Sequence, residues 1–324
     1  LGHELMPVME YNSTDTGAPA LTGQVGSLVA VLDAVLVNGY GSKPGAGWTK
    51  AFSGTNKAVY RMGAGNQFYL QVLDDAPGSG GAREARLRGG EGATNVDTLT
   101  NPFPTTTQLA AGVIVRKSDT LDAVARQWYI IADAATFYLC VKHSGGTDWK
   151  CSFGFGGFTS RVANDPGRTM VLGRTAENDS TTTSEVIGLA STLTGTTAGH
   201  FLARLHTGVV GSAAAGKHGD ASLVNSDTRL TSTSAPLTGS NAADNFFWLS
   251  RIYFHTLSPT TIRGHLRGML QFCHAAGALT DGAVIQGGAG GPFSGKQFRI
   301  RTPIFGGTTA AACAFEISDT WDAP

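Results

Sequence analysis

Hydrophobic and polar residues alternate most clearly over residues 45–75, GAGWTKAFSGTNKAVYRMGAGNQFYLQVLDD. Trp48 and Phe52 fall on the inward side of a short strand, and SGTN at 53–56 is a turn. The segment 57–62 alternates again, with Val59 or Tyr60 on the core face, and GAGN at 63–66 turns the chain back into 67–73. A second run at 135–158, ATFYLCVKHSGGTDWKCSFGFGGF, echoes this hairpin, and NQFYL at 66–70 superposes on ATFYL at 135–139. The offset predicts a weak internal repeat of about 70 residues. Before the first hairpin, Val25, Leu28, Val29, Leu32, Val35 and Leu36 recur at helical intervals, and Asn38-Gly39 supplies a stop. The pattern predicts one helix over about 23–37.

The rest of the chain reads as strands and turns. REARLRG at 83–89 places Arg86 and Arg88 on one strand face, with Ala85 and Leu87 on the other. NPFP at 101–104 argues against a helix or a central strand anywhere in 90–107, which is expected to be a long ordered excursion. Strands are predicted at 111–117, 127–132, 136–142, 149–155, 169–174, 199–205, 207–210 and 245–256. TIRGHLRGMLQF at 261–272 carries two glycines and reads better as strand than as helix. A last hairpin joins 296–302 to 311–317. The expected fold is mainly β, with antiparallel sandwich- or barrel-like sheets and the one N-terminal helix. The expected division is an N-terminal arm and helix at 1–44, a β domain of two hairpin-rich blocks at 45–175, and a second β region at 176–324 with a polar loop at 217–245.

Composition adds a surface property. Of 324 residues 44 are glycine and only 15% are charged, against roughly 25% charged in ordinary soluble domains. A chain so poor in charge is weakly protected against self-association, which suits a surface covered by neighbours; many tight β-turns account for the glycines equally well. The formal net charge is zero, so no overall field attracts nucleic acid or an anionic membrane. Residues 1–10 lack a basic region followed by an apolar one, and 25–37 is too short and interrupted to span a bilayer; neither a secretory signal nor membrane insertion is expected. Cys140, Cys151, Cys273 and Cys313 lack metal-site spacing and are expected as buried reduced thiols, a Cys140–Cys151 bridge across the second hairpin being the alternative.

Chemistry-bearing constellations are sparse. Arg86, Arg88, Arg263 and Arg267 form the candidate basic strand face, with His265, Arg299 and Arg301 at similar spacing. Such a face either grips nucleic acid or acidic protein or is the solvated or interface face of a half-buried sheet; the exposed aromatics of RNA-binding sheets are missing beside it. Trp48, Trp149, Phe153, Phe155 and Phe158 form either a sugar-stacking platform or core and inter-subunit packing. His206, Lys217, His218 and Asp220 lie close in sequence without a nucleophile motif, and with His200 they lack metal-ligand spacing. Asp74, Asp75, Glu84 and Glu91 are the carboxylates that a glycoside hydrolase would need, although Asp74-Asp75 is also ordinary turn chemistry. The glycine runs at 78–81 and 287–291 do not fit phosphate-loop fingerprints. No catalytic residue, metal site or cofactor is expected.

Taken together, GWTKAFSGTNKAVYRMGAGNQFYLQV, ARLRGGEGATNVDT, NPFPT, TFYLCV, IRGHLRGMLQFCH and the closing SDTW resemble structural proteins of the tail and virion modules of tailed bacteriophages. The chain departs from that pattern at Gly90, where an aromatic often follows the arginine-glycine pair, and at Ala134-Ala135, where an acidic-basic turn is usual. The resemblance implies a non-enzymatic virion component of the tail or tail tip, assembled in the host cytoplasm. It would pack as a cyclic homo-oligomer against other virion proteins. The alternatives are a receptor- or glycan-binding tail module that touches host cell-surface glycan, and, ranked last, a surface-polysaccharide-degrading enzyme.

Overall fold

The computed structural model describes residues 7–146, 149, 151–175, 198–205, 208, 249–257, 260–272, 280–287, 293–301, 312–318, 320, 321 and 324. The loop expected at 217–245, Cys273, the group His206, Lys217, His218 and Asp220, and most of the strand expected at 207–210 lie outside the described residues.

The chain forms β1 (Met9–Asn12), helix α1 (Ser27–Leu32) running on as a π-helical turn (Asp33–Asn38), β2 (Thr49–Gly54), β3 (Lys57–Arg61), β4 (Tyr69–Leu73), β5 (Glu84–Asn95), β6 (Thr98–Phe103) and β7 (Val113–Arg116). It continues with β8 (Gln127–Ala132), β9 (Thr136–Lys142), β10 (Cys151–Gly157), β11 (Thr159–Ser160), β12 (Thr169–Arg174) and β13 (Ala198–Leu202). The last strands are β14 (Leu249–Leu257), β15 (Thr260–Phe272), β16 (Val284–Gln286), β17 (Gln297–Arg301) and β18 (Ala312–Glu316). The first sheet has the order β1-β8-β9-β10-β12-β7-β5-β4-β3-β2, with β13 beside β12 and β6 beside β5. The second has the order β11-β15-β18-β17-β16, with β14 beside β15. The fold is mainly β with two antiparallel sheets, the first curled into a half-barrel; among the described residues the helix lies near the N-terminus, and a single 3-10 turn (Gly81–Arg83) precedes β5.

The helical segment is shorter than the periodicity predicts. Gly26 sits in the left-handed region at φ 77°, so the helix starts at Ser27 and Val25 is left 41% exposed. Its first turn is capped from a distance, because the Leu28 amide donates to Asp74 Oδ2 at 2.8 Å. Leu28, Val31, Leu32, Val35 and Leu36 are fully buried inside the half-barrel. Around them pack Trp48, Tyr60, Leu70, Val72, Leu87, Trp128, Ile130, Phe137, Leu139, Phe153 and Phe155 from the concave face of the first sheet.

The opposite face of β8, β9 and β12 is also covered. Tyr129, Ile131, Tyr138, Met170 and Leu172 pack against Ile252, Leu266, Met269, Phe315 and Trp321 of the second sheet region. A small third core, Leu270, Ile285, Phe298, Ile300 and Ala314, lies on the far side of that sheet. The order is therefore helix, curled sheet, second sheet. Each fully buried side chain of this size contributes about 1.5–3 kcal/mol, more than an exposed ion pair at about 0–1 kcal/mol, so burial holds the layers together.

One expectation changes in detail. The span 90–107 is not without regular structure: β5 runs to Asn95 and β6 pairs with its outer half, Pro102 opposite Gly90. Pro102 is tolerated because β6 is an edge strand. The expected buried, reduced thiols are found: Cys140, Cys151 and Cys313 are free and buried, and the alternative Cys140–Cys151 bridge is not formed. Cys140 faces Ser152 and Cys151 faces Val141 across the β9–β10 ladder, so the two sulfurs point to opposite faces of the sheet. The sheets interleave in sequence: β11 pairs with β15 and β13 with β12. The two echoing stretches form β2-β3-β4 and β9-β10 of the first sheet, with Leu70 and Leu139 in the same core. Their turns touch: the Gly63 and Ala64 amides donate to the Ala134 carbonyl at 2.9 and 3.0 Å.

Candidate functional site

The aromatic platform is not assembled. Trp48, Phe153 and Phe155 lie in the concave core, where Trp48 donates to the Asp133 carbonyl at 2.8 Å and meets the Phe137 and Phe155 rings. Trp149 and Phe158 lie in the core between the sheets. Trp149 donates to Asp281 Oδ2 at 2.9 Å and sits between the Lys142 ammonium and the Arg301 guanidinium. None of the five is more than 6% exposed, so no sugar ring reaches them. Their role is packing: Phe153 and Phe155 share the concave side of β10 with Trp48, while Trp149 and Phe158 fill the core between the sheets.

The candidate basic strand face divides in two. Arg263 and Arg267 are buried between the sheets. Arg263 donates to Asp165 Oδ1 at 2.5 Å, and Arg267 reaches Asp133 Oδ2 at 2.7 Å and Thr136 Oγ1 at 2.8 Å. These arginines are structural cross-links and offer no surface. The four candidate hydrolase carboxylates are likewise engaged. Asp74 holds the helix start and Lys117, Asp75 pairs with Lys57, Glu84 with Arg116 and Glu91 with Arg204. Among the described residues no group of three His, Cys, Asp or Glu side chains is placed to hold a metal ion.

Arg86 and Arg88 occupy a different setting. The β4–β5 register sets Gln71 opposite Arg88 and Leu73 opposite Arg86, so all four side chains share the convex face of the first sheet. The second sheet does not cover them there. Instead the chain from 96 to 111 folds back over this face and leaves a cleft of about 470 Å³, lined by Gln71, Leu73, Arg86 and Arg88 on the sheet side and by Asp97, Thr98, Leu99, Pro102 and Thr106 above. A cleft of this size is in the range of small-molecule sites, about 300–1,000 Å³.

The walls of the cleft are fixed at several points. Phe103, fully buried, passes over Gly89, where a side chain would collide with its ring. It stacks on Phe155 with centroids 6.2 Å apart. Gln71 Nε2 donates to the Val96 carbonyl at 2.8 Å, and Arg88 Nη2 donates to the Leu109 and Ala110 carbonyls at 2.9 and 2.8 Å. Thr105 and Gln108 close a reciprocal pair of side chain to backbone bonds. At the mouth Lys57 pairs with both Asp75 and Asp97 at 3.1 Å, and these carboxylates hold its pKa above the ordinary lysine value.

Arg88 is the unusual group in the cleft. It is 9% exposed, burial holds its guanidinium below the ordinary arginine pKa, and its Nη1 has no hydrogen-bond partner. The pairing of Gln71 with Arg88 follows from the hairpin register and is available to sequence reasoning. The return of 96–111 over them is not, because it depends on Phe103 reaching the distant core. No family model matches the chain, and no curated protein is similar to it.

Proposed function

We propose that the chain is a structural component of a tailed-phage virion, of the tail or tail tip, acting by assembly with copies of itself and with neighbouring virion proteins. The sequence resemblance and the low charge support this reading. The observation that carries it is β6. Among the described residues it pairs only with β5, its residues Thr98, Thr100 and Asn101 are exposed, and it has no Lys, Arg, Asp or Glu between Thr98 and Phe103. An open, uncharged edge strand is a template for a strand of another chain, and proteins that remain monomeric usually blunt it with charge, proline or a bulge; Pro102 interrupts one end of β6 and leaves Thr98 to Asn101 as the stretch open to pairing. Light scattering across a concentration series is expected to show an oligomer that Thr100→Lys reduces to monomer. A wild-type chain that stays monomeric at high concentration, together with antibodies that fail to label virions, overturns the reading.

A second reading, a receptor- or glycan-binding tail module, takes its support from the Arg88 cleft in place of the buried aromatics.

A further inference from the structure

We infer that the cleft between the convex face of β4–β5 and the overlying segment 96–111 binds a saccharide unit carrying a carboxylate, with Arg88 as the group that recognises the acid. The inference rests on the glycan-binding reading and narrows it to an acidic sugar.

The chemistry of the lining selects the class. The Arg88 guanidinium has two of its donors committed to the Leu109 and Ala110 carbonyls, while Nη1 is buried without an acceptor. A buried cationic donor is costly to leave unsatisfied; Arg88 lines the cleft, a turn of its enclosed Nη1 edge toward an entering oxyanion would supply the missing acceptor, and a planar guanidinium favours carboxylate or phosphate. The remaining walls separate those two. Asp97 at the rim repels a phosphate dianion more than a singly charged carboxylate, and Asp97, Thr98 and Gln71 offer oxygens that accept hydrogen bonds from hydroxyls. Leu99 and Pro102 give an apolar wall that a bare inorganic anion leaves unused and the C–H face of a sugar ring covers. Acid, hydroxyls and an apolar face on one compact ring describe a hexuronate.

The test is titration calorimetry and saturation-transfer NMR on the full chain with glucuronate, galacturonate, glucose and inorganic phosphate, repeated on Arg88→Gln. A uronate is expected to bind about ten-fold or more tighter than glucose, with that margin lost in Arg88→Gln. Because Arg88 also holds the Leu109 and Ala110 carbonyls, Leu99→Trp is run beside it. This variant keeps Arg88, fills the cleft, and is expected to abolish uronate binding with thermal unfolding unchanged. Glucose binding as tightly as the uronates, or phosphate binding as tightly as either, overturns the acid-sugar assignment and leaves the glycan reading standing only in the first case. No saccharide signal at about 20 mM ligand overturns both. Uronate binding that survives both variants places the site elsewhere and also overturns the inference.

Discussion

His143 shows how a single residue sets the response to acid. Its ring lies 2.9 Å from Asp119 Oδ1, yet burial outweighs that carboxylate and brings its pKa down from 6.5 to about 4. The unfolded chain therefore takes up a proton at a higher pH than the folded one, and the stability due to neutral His143 is complete above pH 6.5 and lost as pH falls to about 4. The loss amounts to about 3 kcal/mol. Asp74 works in the opposite sense. Burial, only partly offset by Lys117, raises it from 3.8 to about 6, so its contribution is complete below 3.8 and lost as pH rises through 6. Denaturant titrations of the wild type and His143→Gln at several pH values between 7 and 4 separate the two, and the variant is expected to lose less stability on acidification. Gly268 marks a steric limit of the same local kind. At φ 62° its missing side chain leaves the space of the Trp321 ring, whose Cε2 would stand 1.9 Å from a Cβ. Gly268→Ala is expected to cost about 2–4 kcal/mol in chemical denaturation; a loss below about 0.5 kcal/mol would show that the ring is not held there.

Among the elements, the segment from β6 to residue 111 depends on one anchor. Phe103→Ala is expected to cost about 3–5 kcal/mol and to open 96–111 to limited proteolysis before the β8–β10 meander is cut; simultaneous cutting would contradict the anchoring role. The same segment shows why sequence reasoning reaches some elements and misses others. β8, β9 and β12 follow from their own apolar runs, and TMVLGR and QWYIIA have the expected bounds, because strand chemistry is local. The helix start does not follow, since its cap is Asp74, 46 residues away in sequence. Alternation also misleads wherever a strand is covered twice: Arg263 and Arg267 alternate like a wet face and are dry, as a partner carboxylate from another sheet cannot be seen in local spacing. The proline rule in 101–104 correctly excludes a central strand there, and is silent on the edge strand β6 that pairs with β5.

For the whole molecule, the joint between the two sheets combines apolar packing with buried charge. Arg267 is 1% exposed and has Asp133 and Thr136 as side-chain partners, whereas Asp133 also accepts from the Ala135 and Thr136 amides at 2.8 Å. Removing the carboxylate takes the counter-charge from a buried cation and the acceptor from two turn amides; removing the arginine leaves the carboxylate partly satisfied. Asp133→Ala is thus expected to cost about 3–5 kcal/mol and Arg267→Met at least about 1 kcal/mol less, measured by denaturant unfolding. Equal costs would contradict this asymmetry. The coverage of the β8–β9–β10 meander on both faces has a further consequence in time. Amide protons of Phe137, Tyr138, Leu139, Cys140 and Val141 are shielded by the helix layer on one side and the second sheet on the other. Loss of either sheet edge leaves them protected, so in deuterium oxide they should exchange last and only through complete opening, reporting the global free energy. The outer strand β2, exposed along nearly all its length, should exchange within the earliest intervals. Loss of structure would then proceed from the rim of the half-barrel inward.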